Sequence, residues 1–241
     1  MKIIADTHTH THTLASTHAY STAQEMVTAA KEKGLYAIAL TDHAYRMPGA
    51  PGEWFFENLH AIPPTLYGVR VLRGMEANVI DFDGNLDAPQ DIQKKMEWIV
   101  ASIHGLLLDG EPSYEACTQL WLRVAENPHV RVIGHSGAPA YVYDYEKVIP
   151  QFAAQGKLIE INNATFRVRK NSVENCMKIA KICKKVGAYI VVNSDAHFST
   201  AVGNVDPALA MLAEIDFPQE LIVNADTGRF KDYLCACGIS L

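Results

Sequence analysis

The chain is predicted to be an α/β protein whose parallel strands close into a barrel, and three observations predict it. Short apolar runs recur at roughly thirty-residue intervals along the 241 residues, as strands of a parallel sheet do when helices return the chain. Helix start and stop signals lie between those runs. No linker, charge block or low-complexity stretch marks a second unit, so residues 1–241 are expected to form a single domain.

The runs are KIIADTH (2–8), LYAIALTDH (35–43), VRVLRGMEA (69–77), WIVASIH (98–104), VRVIGH (130–135), KLIEINN (157–163) and AYIVVNSDAH (188–197). Most are rich in Val and Ile, and several are continuously apolar, as strands buried on both faces are. After the first run, Thr22 followed by Glu25 makes a capping box, and Gly34 is a natural stop for the helix between. PSYEACTQLWLRVAENP (112–128) has helical spacing and is halted by Asn127-Pro128. SVENCMKIAKICKKVG (172–187) is a further helix that ends at Gly187. Seven strand–helix repeats favour closure, because a closed sheet has no edges. The proline-rich loop 44–68, with Trp54, Phe55 and Phe56, is the longest irregular piece and is expected to cover part of a site.

The composition is ordinary for a globular protein, with 49% hydrophobic and 20% charged residues. The formal net charge of −6 and scattered basic residues give no track for nucleic acid and no patch for a membrane surface. The odd set Cys117, Cys176, Cys183, Cys235 and Cys237 is no disulfide framework, and CAC (235–237) reads as idle thiols. MKIIADTH turns polar too soon for a signal peptide. No apolar stretch approaches the roughly 20 residues of a membrane span. A soluble, cytoplasmic protein is expected.

The chemistry sits at the strand ends. The first run leads into ADTHTHTHTLASTHAYST (5–22), which holds His8, His10, His12 and His18. Affinity tags run as consecutive histidines; these alternate with threonine, and period two turns successive histidines to one side of a strand. The later runs end in Asp42-His43, Glu76, His104, His135, Glu160 with Asn162, and Asp195 with His197. Only His60 and His129 fall elsewhere. In a parallel barrel all strand C-termini meet at one face. A lone histidine is more often a satisfied core or surface residue, but this recurrence points to metal. The donors exceed what one four-coordinate zinc uses, so two or three ions are expected. Imidazole with carboxylate favours Zn, Fe, Mn or Co over Ca or Mg. Neutral imidazoles and two carboxylates leave such ions incompletely neutralised, which suits an anionic substrate such as phosphate.

Magnitudes agree with that choice. A positioned acid or base contributes about 10²–10⁴-fold, whereas phosphate monoester hydrolysis can need accelerations on the order of 10²¹. Metal ions close the gap by activating water and clamping the attacking and leaving oxygens. No G-x-S-x-G, P-loop or G-x-G-x-x-G offers another route.

With these motifs in order (paired histidines, TDH, the strand-three glutamate, GHSG and SDAH), the sequence resembles the PHP (polymerase and histidinol phosphatase) family. The likeness spans nearly the whole chain. LASTHAYST, RGMEAN, EINNATF and NSDAH resemble its YcdX-type phosphatases in particular. The resemblance implies a distorted (β/α)7 TIM-like barrel and a metal-dependent phosphatase. It implies three divalent ions, zinc first with Mn or Fe as alternatives, and a metal-bound hydroxide that attacks a small phosphorylated metabolite. The ligands it implies are a strand-one histidine pair, His18, His43, Glu76, His104, His135, Asp195 and His197. Glu76 would bridge ions, and Glu76, Asp195 and His197 would carry the catalysis. The opening stretch is two residues longer than the family form. Counting back from His18 selects His10 and His12, the preferred pair; counting forward from Asp6 selects His8 and His10. The spare histidine would then support the ligands from behind. A serine follows His135 where relatives commonly have proline, which affects loop stiffness rather than ligation.

On the substrate side, Arg167 and Arg169 of RVRK (167–170) could hold a phosphate or a second anion, or simply face solvent. Tyr45 and Arg46 stand in the same position. Three other functions compete. A phosphodiesterase or exonuclease lacks its basic track here, and a metal amidohydrolase lacks a strand-end lysine to bridge ions. A non-catalytic metal module would be expected to have lost ligands.

Overall fold

Each apolar run forms a strand in the computed structural model, which describes residues 1–13 and 18–241. The LAST portion of LASTHAYST lies outside the described residues. The strands are β1 (Ala5–Thr9), β2 (Ala37–Leu40), β3 (Thr65–Leu66), β4 (Val69–Asn78), β5 (Trp98–Ser102), β6 (Val130–Ile133), β7 (Leu158–Asn162) and β8 (Ile190–Asn193). Seven pair in parallel in the order β1-β2-β4-β5-β6-β7-β8, while the short β3 pairs antiparallel with β4 outside the ring.

Helices alternate with the strands: α1 (Ala23–Glu32), α2 (Glu53–Glu57), α3 (Gln90–Gln93), α4 (Tyr114–Glu126), α5 (Tyr145–Ala154), α6 (Thr165–Val168), α7 (Val173–Val186), α8 (Asp206–Glu214) and α9 (Thr227–Ala236). The predicted capping box closes α1: the Thr22 hydroxyl accepts from the Glu25 N–H, and the Glu25 carboxylate accepts from the Thr22 N–H. Gly187 ends α7 in the left-handed conformation (φ +71°) that only glycine adopts without strain. The loop 44–68 is less irregular than its prolines suggest, because α2 turns Phe56 into the core.

The pleat sorts residues into two cores. Outward side chains such as Ile38, Val71, Ile99, Ile133 and Ile159 meet the helices. Inward ones, including Ala37, Ala39, Leu72, Trp98, Val100, Val132, Leu158 and Val191, fill the lumen and meet Phe230 and Leu234 of α9, which plugs its lower end.

Closure is incomplete at the β1–β8 seam, which is why the barrel is distorted. Among the described residues no ladder joins these strands beyond an isolated bridge between Thr9 and Ala196. Side chains replace the ladder. Thr7 donates from its backbone N–H and its hydroxyl to Asn193 Oδ1, both at 2.9 Å. Asn224 donates from Nδ2 to the carbonyls of Ala5 (2.8 Å) and Val192 (2.6 Å) and accepts from the Val192 N–H. No helix among the described residues is long and apolar enough to cross a membrane.

Candidate metal centre

Two-residue steps up each strand carry the lumen from apolar to ionisable. Leu72 leads to Glu76 and Asn78 on β4, Leu158 to Glu160 and Asn162 on β7, and Val191 to Asn193 on β8 and Asp195 beyond it. β1 departs from this rule. Asp6 pairs with Ile38 and Thr9 with Leu40, so three residues of β1 span two of β2. That bulge flips the pleat and turns His8 and His10 into the lumen. Backbone strain completes the rim: His135 (φ +22°) and Asp195 (φ +57°) occupy the positive-φ region that non-glycine residues rarely enter. Gly134 permits the approach before His135, because a Cβ there would lie 2.2 Å from Ser102 Oγ.

Glu76 stands at the centre, within ion-pair distance of five imidazoles. The distances are 2.7 Å to His43 Nδ1, 3.0 Å to His135 Nε2, 3.4 Å to His8 Nε2, and 3.6 Å to both His10 Nε2 and His104 Nε2. Asp195 Oδ1 lies 3.2 Å from His10 Nε2. His18 Nε2 lies 3.2 Å from His43 Nε2, and the His10 and His197 rings stack at 4.2 Å between centroids. Three overlapping donor groups result: His10/His43/His197, His8/His10/Glu76 and His43/Glu76/His104.

The donor chemistry fits divalent ions. His8 Nδ1 lies 2.7 Å from Glu160 Oε1, His104 Nδ1 2.8 Å from Asn78 Oδ1, and His197 Nδ1 2.9 Å from the Asp195 carbonyl. Those oxygens only accept, so each Nδ1 donates, and in the neutral ring Nε2 then offers its lone pair. Outer partners of metal-binding histidines do the same. His8 Nε2, both His10 nitrogens and His43 Nδ1 are buried without a well-formed hydrogen bond. Buried polar atoms left so are costly, and acceptors crowding acceptors call for cations between them.

The electrostatics show the same need. Burial pushes the carboxyls of Glu76 and Asp195 up, but surrounding imidazoles, led by His8, outweigh it and hold both well below the ordinary range. Burial lowers His104 to about 3. Burial also drives His10 well below an ordinary imidazole, with help from His43 and His197. His8 runs the other way: burial opposes its charge, yet Glu160, Glu76 and Asp195 raise it well above the usual value. This pocket of carboxylates draws positive charge to itself.

The structure brings together His8, His10, His18, His43, Glu76, His104, His135, Asp195 and His197. It leaves His12 outside. His12 is exposed, its N–H bonded to the Ser21 carbonyl, so the pair counted back from His18 does not form. The two arginines separate in role. Arg169 Nη2 donates to Asp195 Oδ2 (2.8 Å) and Asn162 Oδ1 (2.9 Å), whereas Arg167 is exposed at the edge of the cavity. Neither neighbour of His43 takes part: Tyr45 packs edge-on against Phe56, and Arg46 pairs with Asp109. Met47–Pro51 of the 44–68 loop lie beside His10, His18 and His43, as a partial cover. Sequence reasoning placed Glu160 at a strand end without a role and passed over Asn78. Both orient imidazoles through contacts that join separate strands. Asp42 was likewise noted without a role: it accepts from the Thr11 N–H and hydroxyl, and burial pushes it up to about 6.

The PHP domain profile matches residues 8–164. The chain is 44% identical over 234 residues to a probable phosphatase of Acetivibrio thermocellus, covering 97% of this chain and 96% of that one. It is 42% identical over 244 residues to a probable phosphatase of Clostridium novyi, covering 99% and 97%. Among solved structures it is similar to a histidinol phosphate phosphatase of Lactococcus lactis, complexed with zinc, L-histidinol and phosphate. That match has a TM-score of 0.58 at 17% identity and covers 98% and 94% of the two chains, a likeness of fold.

Proposed function

Because the chain belongs to the PHP domain family, we propose that it is a phosphatase that hydrolyses phosphate monoesters at a centre of three divalent ions, zinc first among them. The ligands are His8, His10, His18, His43, Glu76, His104, His135, Asp195 and His197, held in one barrel-type domain. The observation that carries this reading is Glu76, one carboxylate within 4 Å of five imidazoles contributed by four strand ends. No single tetrahedral ion uses so many donors. The probable phosphatases of A. thermocellus and C. novyi, and the lactococcal complex with zinc and phosphate, support the same class of reaction and substrate.

When bound, the ions supply Lewis acidity toward phosphoryl oxygens and lower the pKa of water. The protein's own groups do the rest. Glu160 and Asn78 fix the tautomers of His8 and His104 by accepting at Nδ1, so the lone pairs point inward before substrate arrives. The Asp195 carbonyl does this for His197. Arg169 and Asn162 hold the far oxygen of Asp195, which keeps that carboxylate anionic and aimed at the site. The substrate phosphate enters a cavity of about 890 Å³ bordered by Glu76, His104, His135, Arg169, Asp195 and His197.

A phosphodiesterase is the second reading, and the cavity argues against it. Among the described residues only two cations, Arg167 and Arg169, line it, and one is already engaged with Asp195. No lysine among the described residues lines it either, which counts against the carbamate bridge of an amidohydrolase. The test compares p-nitrophenyl phosphate, its bis-ester and a p-nitroanilide, each with and without chelator. Phosphate release from the monoester, abolished by chelator and restored by zinc or manganese, is the expected result. Faster cleavage of the bis-ester or the anilide overturns the reading.

A further inference from the structure

The cavity beside the candidate ligands is larger than a phosphoryl group requires. At about 890 Å³ it falls in the range that encloses a whole small-molecule ligand. Beyond the ligands its lining includes Asn163, Thr200 and Asn204 and an apolar part made by Tyr20, which follows β1, Phe166 and Val168 of α6, and Phe198, which follows β8. Tyr20 is 67% exposed, Val168 60% and Phe198 49%. Single exposed apolar side chains are ordinary. Three on one cavity wall, next to the reacting centre, form an apolar surface for a ligand body.

Charge narrows the choice further. Glu76 and Asp195 are the only acidic side chains among the described residues lining this cavity, and both face the candidate ligands. Of the two guanidiniums, Arg169 is bonded to Asp195 and Asn162. Arg167, between Phe166 and Val168 in α6, makes no side-chain hydrogen bond or ion pair among the described residues.

We infer that the physiological substrate is a phosphomonoester whose alcohol has a flat apolar body and a second anionic group, the body resting on Tyr20, Phe166, Val168 and Phe198 and the anion meeting Arg167. The inference rests on the phosphomonoesterase reading and names its substrate class. A guanidinium prefers a carboxylate or phosphate, which it can bind with two parallel hydrogen bonds. An amine-bearing alcohol would face that guanidinium with no carboxylate to pair with, so the same wall rejects it.

The metal-loaded enzyme is assayed for kcat/KM on four primary-alcohol esters: ethyl, benzyl, meta-carboxybenzyl and meta-(aminomethyl)benzyl phosphate. Similar leaving groups keep the intrinsic chemistry comparable. Benzyl phosphate should exceed ethyl phosphate by about tenfold from ring burial, and the carboxybenzyl ester should exceed the aminomethyl ester by about fivefold or more. Arg167→Gln should bring the carboxybenzyl-to-aminomethyl ratio near one, and Phe198→Ala or Tyr20→Ala should narrow the benzyl-to-ethyl ratio. Turnover of all four esters without these preferences, or ratios unmoved by the variants, overturns the inference and leaves the phosphatase reading standing. No phosphate released from any ester overturns both.

Discussion

Along β5, Trp98 and Val100 fill the lower lumen, and the same alternation continues through Ser102 toward His104 at the rim. β4 makes the same passage from Leu72 to Glu76, and β7 from Leu158 to Glu160. One end of the lumen is apolar and closed by α9. The other, further along the same strands, is crowded with imidazoles and carboxylates, and several of its buried nitrogens lack a well-formed hydrogen bond. The lower end packs as an apolar core. The upper end gathers donors that suit cations, so packing and ion chemistry separate along the barrel axis.

The sharpest break in that comparison comes from one substitution at each end. Glu76→Gln removes the central carboxylate and should cost at least about 10³-fold in kcat/KM, the equivalent of several kcal/mol of lost electrostatic stabilisation. Its thermal midpoint, measured in chelator, should move less than that of Trp98→Ala. Trp98→Ala should cost about 3–5 kcal/mol of stability, since it hollows the lower lumen. Under conditions where it remains folded it should still bind metal. Urea titrations paired with metal analysis read both.

Next in size is Glu160→Gln, which touches no ion. An amide in its place no longer holds the His8 Nδ1–H as a carboxylate does, and metal affinity should fall by about 10–100-fold. Competition with a chromophoric chelator measures it. His12→Ala should change affinity and turnover by less than about twofold, as an exposed residue outside the cluster. Equal losses for His8→Ala and His12→Ala would reverse the assignment of the strand-one pair.

The lower end has its own, smaller signature in pH. Burial, with Arg131 nearby, lowers Lys157 from 10.5 to about 8, and its ammonium donates to the Asn127 and Val130 carbonyls. Between these two values the unfolded chain binds more protons than the folded one, so this group makes stability rise with pH across that window. Below about pH 8 the cost of burying the charge is fully present. Urea midpoints should therefore climb from pH 8 toward 10 more steeply in the unaltered protein than in Lys157→Met. Parallel slopes would remove Lys157 as the cause.

Much of this architecture was legible in the chain because alternation and punctuation are local signals. Each of the seven parallel strands falls on its apolar run, with β1 and β4 reaching one residue beyond it, and Gly187, Asn127-Pro128 and the Thr22–Glu25 box end or start helices. The strand-end position of His43, Glu76, His104, His135, Asp195 and His197 was legible for the same reason. The strand-one pair was not. His8, His10 and His12 share one parity, so period two cannot choose among them, and the bulge between Asp6 and Thr9 leaves no mark in composition. Arg169 reads from the sequence as an anion holder, but its role was not legible. Its partner Asp195 lies 26 residues on, and only the closed barrel shows that the guanidinium is already engaged. Asn224, the clasp of the β1–β8 seam, lies in a segment with no strand or helix pattern at all.

Anomalous diffraction at the zinc edge, from crystals of protein isolated without chelator and equilibrated with zinc, tests the central claim most directly. Three peaks are expected at the upper end of the lumen, with His8 and His10 among their ligands and Glu76 between ions. No peaks there, or peaks bound by His12 with His8 turned away, would contradict the account.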